Sequence, residues 1–180
     1  MPKQGTIGDV LPTLQKKASL PDETIEQIRF LEVHSGRVSK LLSEAYPVTN
    51  INDYVTIYAE RIPEDERGAD KDSTDRLVSC FHYEKEPSKH HGVPFVFLLK
   101  EGEIFKETKE RLSKRTGIKG KQLDKVKFAV IRGGQTYARP AYVDDEDILS
   151  EKMASDDQLA LEHMNKTRSP WAIYERLNIR

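Results

Sequence analysis

The sequence predicts an α+β chain of two small units in series, each with one amphipathic helix laid across a mixed sheet. Three observations predict it. Apolar stripes at helical period are few and short. Between them run short apolar segments with strand character, bounded by Gly, Pro or Ser. The order of these segments repeats along the chain, and the charged stretch 64–75, almost free of apolar residues, lies between the copies.

The first helix is expected over residues 6–18. Ile7, Val10, Leu11, Leu14 and Ala18 fall on one face, and Thr6 and Asp9 have capping-box spacing with Asp in the usual Glu or Gln place. Pro12 removes one helical bond and marks an expected kink or weak point. Residues 28–34 and 38–42 read as strands around Ser35-Gly36, a hairpin. A strand is expected at 54–59.

In the second unit, 77–83 is a strand, 84–92 a polar loop, and 93–99 a dense apolar strand. Pro94 cannot donate a ladder bond, which suits an edge or a strand start. A helix follows over 103–116. Ile104, Phe105, Thr108 and Leu112 form its apolar stripe, and Glu107–Arg111 and Glu110–Lys114 are its i,i+4 pairs. Gly117 stands where a left-handed cap is wanted. Residues 126–132 and 136–143 read as strands around Gly133-Gly134, and 158–164 as a last short strand. Residues 170–179 read as a terminal helix or extended tail.

The second unit therefore runs ββ-α-ββ-β, and the first repeats that order without the opening pair. This is the β-grasp arrangement of ubiquitin. The expected fold is two tandem ubiquitin-like β-grasp units, the first missing its N-terminal β-hairpin, plus a C-terminal helix or tail. The boundaries are 1–63 for the partial unit, 64–75 for the linker, 76–168 for the second unit and 169–180 for the tail. The incomplete first sheet leaves the apolar face of its helix only partly covered.

Composition narrows the function. The 180 residues are 37% hydrophobic and 33% charged, which suits small domains. Formal net charge is −1, so no basic excess drives nucleic-acid binding. No run approaches the roughly 18 apolar residues of a membrane span. One cysteine makes no internal disulfide, and the N-terminus has no signal-peptide core. An intracellular chain is expected, with no nucleic-acid or membrane partner.

Catalytic and metal motifs are weak. Cys80 and His82 share a strand face, but no third group orients them, and Cys80 reads as a small buried hydrophobe. His90, His91, His82 and Cys80 lack the spacing of a structural zinc site. No metal and no cofactor is expected. Gly133-Gly134 is internal and reads as a hairpin turn. Lys119, Lys121, Lys125 and Lys127 read as a solvated face. The loop Asp144, Asp145, Glu146, Asp147 is a candidate docking site for a Lys/Arg-rich peptide. Trp171 and Tyr174 lie beside the tail, three residues apart, suited to pack a terminal helix or help dock the tail.

The segments HHGVPFVFLLKEGEIFKETKERL, DKVKFAVIRGG, LALEHMNK and the terminal AIYERLNIR, with RFLEVHSGRVSKLL in the first unit, carry a resemblance. In that collinear order the chain resembles the C-terminal end of the herpesvirus-associated ubiquitin-specific protease (HAUSP) family. The resemblance implies the last two of a series of ubiquitin-like domains in a deubiquitinating cysteine protease. It implies a nucleus-and-cytoplasm location, and a chain that is not itself an enzyme, because the family's catalytic Cys and His boxes are absent. It further implies that the tail docks on the parent's catalytic domain and favours the active state. The two apolar tail positions that enter a groove there fall on Leu177, in place of isoleucine, and Ile179. The alternative is a scaffold adaptor that recruits substrate or regulator proteins without activating the enzyme.

Overall fold

The computed structural model describes residues 5–21, 27–67, 74–133 and 139–165. The described residues up to 67 form one compact unit and those from 74 a second. Each is mixed α+β with its own sheet, in the β-grasp arrangement.

In the first unit a 3-10 turn (Gly8–Val10) leads into α1 (Leu11–Ala18). Asp9 reaches back to accept the Thr6 amide at 2.8 Å, so the Thr6/Asp9 spacing acts as one half of a capping box. Pro12 sits in the first turn of α1, where a backbone N–H has no intrahelical partner, so no helical bond is lost to it. Ser19, left-handed at φ 51°, ends the helix. β1 (Ile28–His34) and β2 (Arg37–Leu42) form the expected hairpin, reversed by Ser35 and Gly36 at φ 49° and 70°. β3 (Thr56–Arg61) pairs antiparallel with β1, giving the order β2-β1-β3. It starts later than 54 because Asn52 Oδ1 holds the Tyr54 amide in a turn at 3.0 Å. Ile7, Leu11 and Leu14 pack on Phe30, Leu42 and Ile57. Each such buried aliphatic side chain contributes about 1.5–3 kcal/mol. Glu66, within the stretch expected to link the units, is bound at 2.5 Å to Arg29, which also holds Glu60.

The second unit opens with β4 (Arg76–Glu84) and β5 (Glu86–Leu99), reversed at Lys85, φ 65°. The expected polar loop 84–92 is thus mostly strand. Its backbone pairs as Tyr83↔His90 and His82↔His91, and ladder bonds form whatever the side-chain polarity. Pro94 lies in an edge strand, as its missing donor requires. α2 (Phe105–Thr116) begins after Ile104, which stays extended, and ends at Gly117, left-handed at φ 73°. β6 (Lys127–Ile131), β7 (Ala141–Tyr142), α3 (Leu149–Lys152) and β8 (Gln158–Glu162) complete the unit. Strand order is β5-β4-β8-β6-β7, with β8 parallel to β4 and antiparallel to β6.

The core lies between α2 and this sheet. Phe105 meets Phe128 edge-on at 5.1 Å, and Leu112 packs with Val78, Cys80, Phe97, Leu159 and Leu161. Arg111 does not close the expected pair with Glu107. It binds Glu103 at 2.6 Å and donates to the Leu98 carbonyl at 2.9 Å, tying the helix to the end of β5. Gly133 is a close-approach position: its amide donates to Asp157 Oδ1 at 3.1 Å, and a Cβ there would collide with the Asp156 backbone. Gly134, the other half of the expected turn, lies outside the described residues.

Candidate functional site

The candidate tail residues Trp171, Tyr174, Leu177 and Ile179 lie outside the described residues. The acidic loop lies within them, between β7 and α3. Its backbone does structural work. The Asp147 carbonyl accepts the Phe105 amide at 2.7 Å, and the Asp145 carbonyl accepts the Lys106 amide at 3.0 Å. Ile104 bridges to Ile148 beside them. The loop therefore caps the first turn of α2, whose early amides have no partner within the helix. Negative charge near that end also suits the helix dipole.

The four acids are not equivalent. Asp147 accepts the Asp144 amide at 2.9 Å and pairs with Lys152 at 2.6 Å. The Lys152 bond first, then the Asp144 amide, holds its carboxyl below the usual range. Asp145 pairs with Lys109 at 3.2 Å. Asp144 and Glu146 are exposed. An incoming basic side chain would meet those two first, with Asp147 already committed to the loop.

Cys80 and His82 do not form a nucleophile–base pair. Cys80 is 1% exposed, with Sγ 3.8 Å from the Val78 carbonyl. The His82 ring turns to His163 instead, Nδ1 to Nε2 at 2.9 Å. His91 joins them: its Nε2 donates to the His163 carbonyl at 3.0 Å, and its ring is 4.8 Å from that of His163. Burial first, then His163 and His91, lower His82 to about 4. His163 was not singled out in the sequence. Only the parallel pairing of β4 with β8 brings it beside His82, and nothing local in the sequence encodes that pairing. Among the described residues no group of three or more His, Cys, Asp or Glu is arranged to hold a metal ion. Lys119, Lys121, Lys125 and Lys127 are exposed, and Lys127 lies 5.6 Å from the ring centre of Tyr142. No helix among the described residues is long and apolar enough to cross a membrane.

Comparisons with known proteins agree with one another. The family described as ubiquitin-specific protease C-terminal matches residues 1–168. Ubiquitin C-terminal hydrolase 12 of Arabidopsis thaliana is 33% identical over 180 residues, 93% of this chain and 16% of that protein. Ubiquitin carboxyl-terminal hydrolase 15 of Schizosaccharomyces pombe is 34% identical over 165 residues, 89% of this chain and 14% of that protein. Ubiquitin carboxyl-terminal hydrolase 7 of Drosophila melanogaster is 24% identical over 184 residues, 92% of this chain and 16% of that protein. The chain thus spans about one-sixth of the length of the curated relatives it matches.

Proposed function

Since the chain belongs to the ubiquitin-specific protease C-terminal family, we propose that it is a non-catalytic regulatory module of a deubiquitinating cysteine protease. In this reading its tail, 169–180, docks on the parent's catalytic domain and favours the active state. The observation that carries the reading is the family match along residues 1–168, in a chain that spans 14–16% of the length of relatives named as ubiquitin hydrolases. The burial of Cys80 in the core supports a supporting role rather than a catalytic one.

The physics of the tail is simple. In an extended peptide Leu177 and Ile179 face the same way. Each contributes about 1.5–3 kcal/mol when buried, against about 1–2 kcal/mol per ordered residue. Two such anchors bind weakly between separate molecules. Tethering in one polypeptide raises effective concentration to roughly mM, and the weak contact becomes sufficient. It activates only by binding the active arrangement better than the inactive one. Trp171 and Tyr174 would fix the start of the tail. Nucleus and cytoplasm are the proposed compartments.

The adaptor reading draws on the exposed carboxylates of Asp144 and Glu146, which suit a Lys/Arg-rich substrate or regulator. One experiment separates the two. The chain is titrated, with and without residues 176–180, into a catalytic domain that lacks its own tail. Activation requires that turnover rise only with the intact chain. Equal turnover with both chains leaves the adaptor.

A further inference from the structure

The stretch 141–147 runs from the edge of the second sheet to the start of α2, and a different element fastens each end of it. At the sheet, β7 is two residues long and pairs with Ala129 and Val130 of β6. Reaching across β6, the Tyr142 hydroxyl donates to Glu162 of β8 at 2.6 Å. At the helix end, the Asp147 carboxylate pairs with Lys152 of α3 at 2.6 Å, and Asp145 pairs with Lys109 of α2 at 3.2 Å. We propose that residues 141–147 are a strap that opens as one piece, and that loosening either the Tyr142–Glu162 or the Asp147–Lys152 fastening uncovers the first amides of α2.

The hydrogen bonds make the stretch a unit. The Asp144 amide donates to the Asp147 carboxylate at 2.9 Å, and the Asp147 amide donates to the Asp144 carbonyl at 3.0 Å. Residues 144–147 are therefore a turn closed on itself. The carbonyls that receive the Phe105 and Lys106 amides, at 2.7 and 3.0 Å, belong to Asp147 and Asp145 of that turn. Lifting the turn removes both acceptors together. Its other side joins the sheet through Val143, whose amide donates to the Phe128 carbonyl at 3.0 Å, directly beside Tyr142. A pull on Tyr142 thus reaches the helix through four residues of connected backbone.

Burial decides that this piece opens before the rest of the unit. Ala141, Tyr142, Asp144, Asp145 and Glu146 are exposed, and Val143 is half-buried at the margin of the core. Segments that bury little apolar surface open at a lower free energy than the whole domain. Leu149, at 0% exposure, stays in the core and holds the far end. The two fastenings differ in strength. A hydroxyl on a carboxylate is a charge-assisted bond, whereas the Lys152 side chain is half-exposed and its ion pair is screened by water. Tyr83, whose hydroxyl lies 3.5 Å from the same Glu162 oxygen, remains beside that carboxylate when Tyr142 leaves. The strap carries Asp144 and Glu146, so its opening moves that acidic surface as well. The inference concerns the strap itself and stands whatever binds there.

The test is amide hydrogen exchange, read by NMR on the full chain at pH 7. The amides of Phe105, Lys106 and Val143 report the strap, and those of β8 report global unfolding. In the unaltered chain the strap amides are expected to exchange faster than β8. Tyr142→Phe keeps the ring and removes the hydroxyl, and is expected to speed Phe105, Lys106 and Val143 alike by about tenfold. Lys152→Met acts at the other end and is expected to speed the same amides by about two- to fivefold. The β8 rates stay unchanged in both. Faster exchange at Val143 alone in Tyr142→Phe, or at Phe105 and Lys106 alone in Lys152→Met, shows ends that move separately and overturns the strap. So do unchanged rates in Tyr142→Phe, and so do strap amides that exchange only together with β8.

Discussion

The two sheets share one plan and differ in one place. In the second unit β8 lies in the middle, antiparallel to β6 and parallel to β4. In the first unit β3 occupies the corresponding position, and among the described strands only β1 pairs with it. Burial follows the pairing. Leu159, Ala160 and Leu161 of β8 are all within 1% exposure, whereas β3 buries only Ile57. The helices show the same contrast: Leu11 and Leu14 of α1 keep 7% exposure, while Phe105, Thr108 and Leu112 of α2 keep 1% or less. A strand pair beside the central strand is what turns an adequate core into a closed one.

The backbone part of the cap is the same in both units, although only the first adds a side chain to it, Asp9 on the Thr6 amide. In the first unit Ile7 and Gly8 donate to the carbonyls of Tyr46 and Glu44 at 2.9 and 2.8 Å, and Thr6 bridges to Pro47. In the second, Phe105 and Lys106 donate to Asp147 and Asp145, and Ile104 bridges to Ile148. The backbone makes these bonds, and the first unit makes them with one acid in the stretch 44–47. The four acids at 144–147 are therefore more than the cap demands, which is why their exposed members are worth testing as a docking site.

The largest expected effect comes from the helix cores. Leu112→Ala should destabilise the second unit near the top of the roughly 2–5 kcal/mol range, because its site is sealed. The matching Leu14→Ala should fall near the bottom. Denaturant unfolding with a probe in each unit measures both; equal losses would erase the contrast. Next comes completion of the first sheet. A β-hairpin fused before Thr6, so that one strand runs parallel to β3, should raise the first unit's thermal midpoint by several degrees, at roughly 4–8 °C per kcal/mol. No gain would mean that the two sheets are not equivalent.

Acid should separate the units further. His82, lowered to about 4, is neutral when folded and takes up a proton near 6.5 when unfolded. Unfolding therefore binds protons between these values. The second unit's stability is complete above about pH 6.5 and declines toward pH 4, by up to about 3 kcal/mol. The first unit holds only His34 and lacks such a cluster. Chemical unfolding across that pH range should show the second transition moving while His82→Asn suppresses the shift. The smallest structural effect is expected from Asp144→Asn with Glu146→Gln. Because the carbonyls cap α2, unfolding midpoints should barely move, while binding of a Lys/Arg-rich peptide, read by calorimetry, should weaken. Unchanged binding would remove the loop as a docking site.

Much of this fold is legible from local chemistry. The stripe Phe105, Thr108, Leu112 with Gly117 places α2, and Ser35-Gly36 places the first hairpin, since period and left-handed backbone are written in neighbouring residues. What is illegible is set by distant pairing. The half of β5 from Glu86 to Gly92 is strand because β4 lies beside it, not because its side chains alternate. Four-residue α3 is too short to show a period. Of the site, the acidic loop is visible as charge, but its capping role is carried by carbonyls common to every residue. The His82–His163 contact joins positions 81 residues apart and awaited the β4–β8 register.

The most direct test of the regulatory role is turnover by a tail-less catalytic domain of the parent enzyme, in the presence of this chain carrying Leu177→Ala and Ile179→Ala together. The account predicts that the wild-type chain raises turnover and that the double variant, equally folded, does not. Equal stimulation by both would contradict it.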